Sequence, residues 1–247
     1  MFTCRVYKDN CWICGDVSSL TGEHKVKKSH LMRSLPEFPA LFLSDGLGKK
    51  EIQGPNSRLL KYNATICKAC NNSRTQGADR AYDEFIERVH YIFGLESIQD
   101  AMRTNPELPI KYDLENQQQL ARYFGKHLGC ALAYQKLPVP KKLSKFVLAG
   151  GTCEGLSLQF RAREDYYFNG EKIYLPVTTF GGAWFKPPEE NAKGSLISAF
   201  SESWIQYVVS LDLTSFESND FVFSALLFGK GKVKNFSEAE GVLRGAQ

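Results

Sequence analysis

Four of the seven cysteines in this 247-residue chain stand in two Cys-x-x-Cys pairs, Cys11/Cys14 and Cys67/Cys70. Each pair can present two thiolates from one tight turn, and two such turns complete a tetrahedral zinc site with no open position. A closed site of that kind is structural. It staples a segment too small and too polar to fold on apolar burial alone. Cys4, Cys130 and Cys153 are scattered and read as small core residues. The stretch from Cys14 to Cys67 is long for a plain zinc ribbon, so further structure must fold inside it. That stretch holds Glu23-His24, followed by the basic residues Lys25, Lys27 and Lys28, and the second pair runs directly into Asn71-Asn72. A carboxylate and a carboxamide oxygen are hard ligands suited to Mg²⁺ or Mn²⁺. A neutral imidazole can take a proton from water near neutral pH. Together these are the parts of a one-metal phosphodiesterase.

The string Cys11-x-x-Cys14, Glu23-His24, Cys67-x-x-Cys70-Asn71-Asn72 resembles the HNH endonuclease family, in its branch stapled by cysteine-bound zinc. The resemblance covers the first 90 residues, about a third of the chain. It implies a ββα-metal unit with one strand ending at Glu23-His24, a second over 63–67, and a helix starting near Asn71. It implies that His24 deprotonates the attacking water and that Glu23 is the acidic ligand of the catalytic Mg²⁺ or Mn²⁺. The second ligand is an asparagine at the helix start. Family spacing from the last cysteine points to Asn71, whereas spacing from a supporting asparagine, counted from Asn63, points to Asn72. Asn63 itself would orient the His24 loop by hydrogen bonding. Many members carry another histidine on the helix; here Asp79 or Asp83 stands in that region. Lys25, Lys27, Lys28 and Arg74 would contact nucleic-acid phosphates. His90 and His127 fall on expected helices, where packing outweighs chemistry. The implied substrate is DNA ahead of RNA, in restriction, phage defence or mobile-element biology. The alternatives are a zinc-knuckle protein that binds nucleic acid without cutting it, and a zinc-stapled protein–protein module.

Composition is consistent with such a module. The chain is 43% hydrophobic and 23% charged, which excludes disorder and a long coiled coil. It has no apolar run long enough for a membrane helix and no signal-peptide stretch in MFTCRVYKDNC. A cytoplasmic location is therefore expected, where thiols stay reduced and clustered cysteines point to metal. Residues 1–80 carry 13 Lys/Arg against 7 Asp/Glu, a net +6, and residues 81–247 carry 18 against 20, a net −2. The basic excess accompanies the cysteine pairs, as a polyanion-binding module requires.

The expected fold class is α+β: a zinc-stapled module over 1–90, a helical connector over 91–142, and a β-rich α+β domain over 143–247 for target recognition, oligomerisation or a protein partner. Tyr82, Phe85, Ile86 and Val89 recur at helical spacing, with Asp79 as the expected cap. Leu120, Tyr123, Phe124, Leu128 and Leu132 mark a second helix, and the prolines at 138 and 140 mark a break. Alternation over 155–164, the Asn169-Gly170 pair and the apolar run at 221–229 predict strands and a hairpin. Residues 195–211 lean towards helix. The aromatics of this half, Trp184 and Trp204 among them, read as core.

Overall fold

The computed structural model describes residues 4–5, 9–29, 32, 40–44, 49–93, 114–134, 136, 139–162, 166–168, 171–173, 177–185, 194–202, 205–213 and 222–229. Helix and strand are mixed among them, and their strand pairings are antiparallel. No helix among them is long and apolar enough to cross a membrane. His30, Pro138, Asn169, Gly170 and Trp204 lie outside the described residues.

Strands β2 (Leu20–His24) and β5 (Lys61–Cys67) pair from Leu20↔Cys67 to His24↔Lys61. The register slips between Thr21, opposite Ile66, and Glu23, opposite Tyr62. The surplus β5 residues bulge there, and a bulge re-aims the side chains beside it. Gly22 faces this irregularity. A Cβ on Gly22 would lie 2.8 Å from the Tyr62 carbonyl oxygen, so no larger residue fits without moving backbone. β5 then enters a π-helical turn, Ala69–Arg74, and continues into helix α1 (Gln76–Phe93). Thr75 joins the two, its Oγ1 donating to the Cys70 carbonyl at 2.9 Å and lying 3.4 Å from the Asn71 carbonyl. Asp79 sits inside the first turn of α1 and does not cap it. Its carboxylate is engaged elsewhere, as described below.

Helix α2 (Leu114–Tyr134) packs across α1. The faces expected from periodicity are the buried ones: Tyr82, Phe85 and Ile86 on α1, and Leu120, Tyr123, Phe124, Leu128 and Leu132 on α2. Tyr82 and Tyr123 stack with ring centroids 3.9 Å apart. Trp12, between the first two cysteines, is fully buried and donates Nε1–H to Cys130 Sγ at 3.3 Å. Gly129 makes room for it, since a Cβ there would fall 2.2 Å from the indole ring. The proline segment expected as a break has structure. β6 (Val139–Pro140) pairs with β1 (Cys4–Arg5), and helix α3 (Lys141–Ala149) follows at once. Ser144 on α3 donates to the Trp12 carbonyl at 3.0 Å. The Cys11–Cys14 turn is thus held from α2 and α3 together.

The larger sheet has seven strands in the order β4-β3-β13-β10-β11-β12-β7. These are β3 (Ala40–Ser44), β4 (Lys49–Ile52), β7 (Leu156–Ala162), β10 (Val177–Phe185), β11 (Gly194–Glu202), β12 (Ile205–Leu213) and β13 (Val222–Gly229). Two of them come from the segment between the cysteine pairs. Val209 and Leu211 on β12 belong to the same buried core as Trp12 and Tyr62. Residues 195–211, expected as a helix, form β11 and β12 instead. The reason is legible afterwards: Ile205, Tyr207, Val209, Leu211 and Leu213 recur every second residue, and β-branched or aromatic side chains suit a pleated surface. A separate hairpin pairs β8 (Tyr166–Phe168) with β9 (Glu171–Ile173), and its Phe168↔Glu171 register suits the two-residue Asn-Gly connection expected.

The Trp12–Gly129 contact gives a direct stability test. Gly129→Ala forces the indole out of place and should destabilise the protein by about 1–3 kcal/mol despite the better helix propensity of alanine. Gly125→Ala, whose nearest neighbour is a Leu143 methyl at 3.3 Å, should be much milder. Denaturant unfolding of the two variants decides it, and equal midpoints would contradict this packing.

Candidate metal centre and the charged cluster beside it

The four paired cysteines converge. Tetrahedral zinc with Zn–S bonds of about 2.3 Å sets its sulfurs about 3.8 Å apart. Cys14 Sγ and Cys67 Sγ are 3.7 Å apart, and all four sulfurs lie within 4.8 Å of one another. Each pair is shaped by its own turn. In the first, Gly15 adopts φ 83° and donates its N–H to the Cys11 carbonyl at 2.7 Å, a conformation that glycine takes without Cβ strain. Asp16 extends the turn, its carboxylate accepting from the Ser18 N–H and hydroxyl, both at 2.8 Å. Those two bonds hold the Asp16 carboxyl below its usual range. In the second, the Cys70 N–H points at Cys67 Sγ at 3.4 Å, and Arg74 Nη1 lies 3.5 Å from Cys70 Sγ. Such donors suit thiolates. The hydrogen bond between Cys70 and Cys11 pulls the Cys11 thiol down and pushes the Cys70 thiol up. A bound cation would hold the four sulfurs as thiolates. The donor set and the spacing fit a structural metal such as zinc.

The Glu23-His24 dipeptide ends β2, as the sequence suggested, but the two side chains meet different surroundings. Glu23, 12% exposed, is approached by Lys126 of α2, with Nζ 3.1 Å from Oε1. The same ammonium lies 2.9 Å from Asp79 Oδ1 and 3.3 Å from Thr75 Oγ1, and it is 1% exposed. Burial pushes the Glu23 carboxyl up, with Lys126 pulling it down and Asp79 pushing it up. At Lys126, burial pulls down, but the carboxylates of Glu23 and Asp79 outweigh it and the ammonium is raised. The two shifts favour opposite charge states across one contact. Because the ammonium is shared by two carboxylates, Lys126 stays charged and Glu23 is the more weakly ionised partner. Burial, followed by Lys126, brings the adjacent His127 down to about 3. Its 3.8 Å approach to Glu23 Oε1 is therefore that of a neutral ring.

His24 faces Pro55, Lys61 and Lys28. Burial first, then those two ammonium groups, lowers it below its ordinary 6.5, against a hydrogen bond with the Pro55 backbone. Nε2 is buried without a hydrogen-bond partner among the described residues. Asn71 is half-buried and donates Nδ2–H to Thr21 Oγ1 at 3.1 Å, whereas Asn72 is exposed. Asn63 is exposed on β5, and the backbone partner of the His24 ring is Pro55.

The basic residues are placed unevenly. Lys25 is buried, its ammonium 5.1 Å from the Tyr134 ring centroid and 5.8 Å from that of Tyr62. Lys27 pairs with Asp83 at 2.6 Å and also donates to the Asp79 carbonyl. Lys28 is exposed, and Arg74 turns towards the zinc cysteines. Sequence reasoning missed Thr21, Pro55 and Lys126. The available signal was Lys126 itself, a charged residue flanked by Tyr123, Phe124 and Leu128 on an apolar helix. Carboxylate and carboxamide oxygens at Glu23 and Asn71 are donors of the kind a hard divalent cation takes, and Lys126 occupies only one of the lone-pair positions of Glu23. Among known proteins, no family model, no curated protein and no solved structure matches the chain.

Two outcomes follow. Purified protein should carry about one zinc per chain, and Cys67→Ser should lose it together with the fold of the surrounding elements. Elemental analysis and circular dichroism check this, and folded wild-type protein free of metal would contradict it. Lys126→Met leaves Glu23 buried without its cation and should cost about 3–5 kcal/mol. Adding Glu23→Gln should recover part of that loss, and additive losses in the double variant would show that the two groups are not coupled.

Proposed function

We propose that this chain is a divalent-metal-dependent endonuclease of the HNH type, hydrolysing phosphodiester bonds in DNA ahead of RNA. One observation carries the reading: the strand that ends in Glu23-His24 pairs with the strand that ends in the zinc cysteines, and Asn71 follows directly. His24 and Glu23 thus stand on one strand of the hairpin, and Asn71 on the turn that follows its other strand. A buried nitrogen acceptor in want of a donor is the place for one water. In the proposed reaction, His24 takes the proton of the attacking water. Glu23 and Asn71 hold a Mg²⁺ or Mn²⁺ ion, which when bound offsets charge on the leaving 3′ oxygen. Burial, followed by the ammonium groups of Lys61 and Lys28, lowers the His24 pKa, and those ammonium groups supply positive charge near the phosphate. The C-terminal sheet serves target recognition or self-association, and restriction, phage defence or mobile-element biology is the setting that fits.

A second reading, binding without cleavage, draws on the contact of Lys126 with Glu23, which leaves that carboxylate only partly available. Supercoiled plasmid incubated with Mg²⁺ or Mn²⁺ separates the two. His24→Ala should reduce nicking by about 10²–10⁴-fold with zinc content unchanged. A general base works only when neutral, so activity should fall on the acid side as pH drops through the lowered His24 pKa. That limb should lie below pH 6.5 and move up in Lys61→Gln. A wild-type protein that binds plasmid with a steep salt dependence and never cuts it would favour the second reading.

A further inference from the structure

The register of β2 and β5 sorts the far end of their hairpin into two faces. Two pairs follow one another there without a slip, Glu23↔Tyr62 and His24↔Lys61. Opposed residues of an antiparallel ladder project to the same face, and successive residues to opposite faces. Tyr62 is buried in the core and Glu23 meets Lys126 of α2, so His24 and Lys61 share the other face. The stem of Lys61 is held in place. A Cβ on Gly22 would lie 3.3 Å from Lys61 Cβ and 3.6 Å from its Cδ, so the bare glycine is the surface along which that stem runs. Burial aside, the charges that reach the His24 ring are both positive, those of Lys61 and Lys28. Neither of these ammonium groups has a hydrogen bond or ion pair among the described residues, and His24 Nε2 is buried with no hydrogen-bond partner among them. The lysines around them are occupied: Lys25 lies over the Tyr62 and Tyr134 rings, Lys27 pairs with Asp83, and Lys126 with Glu23 and Asp79.

A surface of one sign gathers counter-ions, and here two unpaired ammonium groups flank one imidazole. A phosphate group suits them, because its several oxygens accept from donors on different sides and lysine meets it as a point charge. We propose that His24, Lys61 and Lys28 form a binding site for one phosphate group of a nucleic-acid backbone, with Lys61 as the anchoring contact. Lys61 is half-buried, fixed by the ladder and by Gly22, whereas Lys28 is exposed and must be ordered when the phosphate arrives. The choice of a backbone phosphate as ligand rests on the nuclease reading. The anion site itself needs no divalent cation.

The test uses full-length protein without added Mg²⁺ or Mn²⁺, and two readouts. In the first, inorganic phosphate is titrated at constant pH and ionic strength while NMR follows the His24 ring signals, identified by their loss in His24→Gln. Phosphate should shift those signals in wild type. Lys61→Gln should weaken phosphate binding by about 10-fold, Lys28→Gln by less, and Lys61→Arg should retain most of it. The second readout is the affinity for a short DNA duplex at several salt concentrations. The slope of log affinity against log salt should shrink by about 0.9 in Lys61→Gln, the loss of one phosphate contact. Lys145→Gln removes an exposed ammonium from α3, controls for net charge, and should leave both readouts close to wild type. Circular dichroism confirms folding, and Lys61→Met, which keeps the stem, replaces Lys61→Gln if the latter unfolds. Equal phosphate affinity in wild type and Lys61→Gln overturns the proposal. So does a salt slope in Lys61→Gln as steep as that in Lys145→Gln. Phosphate binding that the duplex does not compete with overturns the assignment to nucleic acid. A duplex that binds with the expected slopes and is never cut once Mg²⁺ or Mn²⁺ is added overturns the nuclease reading and leaves the phosphate site standing.

Discussion

Four sulfurs from two turns far apart in sequence converge to within 4.8 Å of one another. Cys11 and Cys14 lie in a turn closed by Gly15, Cys67 and Cys70 flank the end of β5, and the two turns are far apart in sequence. Four sulfurs within 4.8 Å of one another form the donor set that a tetrahedral cation takes. With a metal in place, the ends of β2 and β5 are fixed side by side, and the turn that carries Asn71 is fixed with them. The binding free energy of the metal is then part of the folding free energy of this region. The stretch from Lys25 to Leu60 can leave the module and lend β3 and β4 to the larger sheet without loosening the hairpin it departs from.

A second constraint comes from α2. It receives Trp12 over Gly129 and inserts Lys126 between Glu23 and Asp79. A buried ammonium is costly unless well paired, and an apolar residue would pack there with less risk. The pairing ties β2, α1 and α2 to one charge, so the position of Glu23 depends on a helix beyond residue 90. A metal at the four cysteines would hold the hairpin from one end, and the lysine holds it from the other.

The sequence made some of this visible for identifiable reasons. Cysteine ligands must come in close pairs, so Cys11, Cys14, Cys67 and Cys70 announce themselves. Helix faces obey a 3.6-residue period, so the buried residues of α1 and α2 could be read directly. The 195–211 segment was ambiguous because its apolar residues satisfy two periods, and only pairing with β10 and β7 decides between them. The Thr21–Asn71 and Lys126–Glu23 contacts were not legible. The first depends on a bulge whose only sequence trace is Gly22, and the second on how two helices cross. Lys25 and Lys27 looked like surface charges because sequence gives charge without burial. In the structure one lies among aromatic rings and the other is paired with Asp83.

We propose that a hairpin stapled at the four cysteines presents Glu23 and Asn71 to a catalytic cation, with His24 as the base. Anomalous diffraction from crystals grown with Mn²⁺ tests it most directly, because zinc and manganese are told apart at their own absorption edges. The account requires zinc bound by the sulfurs of Cys11, Cys14, Cys67 and Cys70, and a manganese peak at oxygen-ligand distance from a Glu23 carboxylate oxygen and Asn71 Oδ1. A manganese peak at Asn72, or saturating Mn²⁺ with no peak beside Glu23 and Lys126 still seated there, would contradict it.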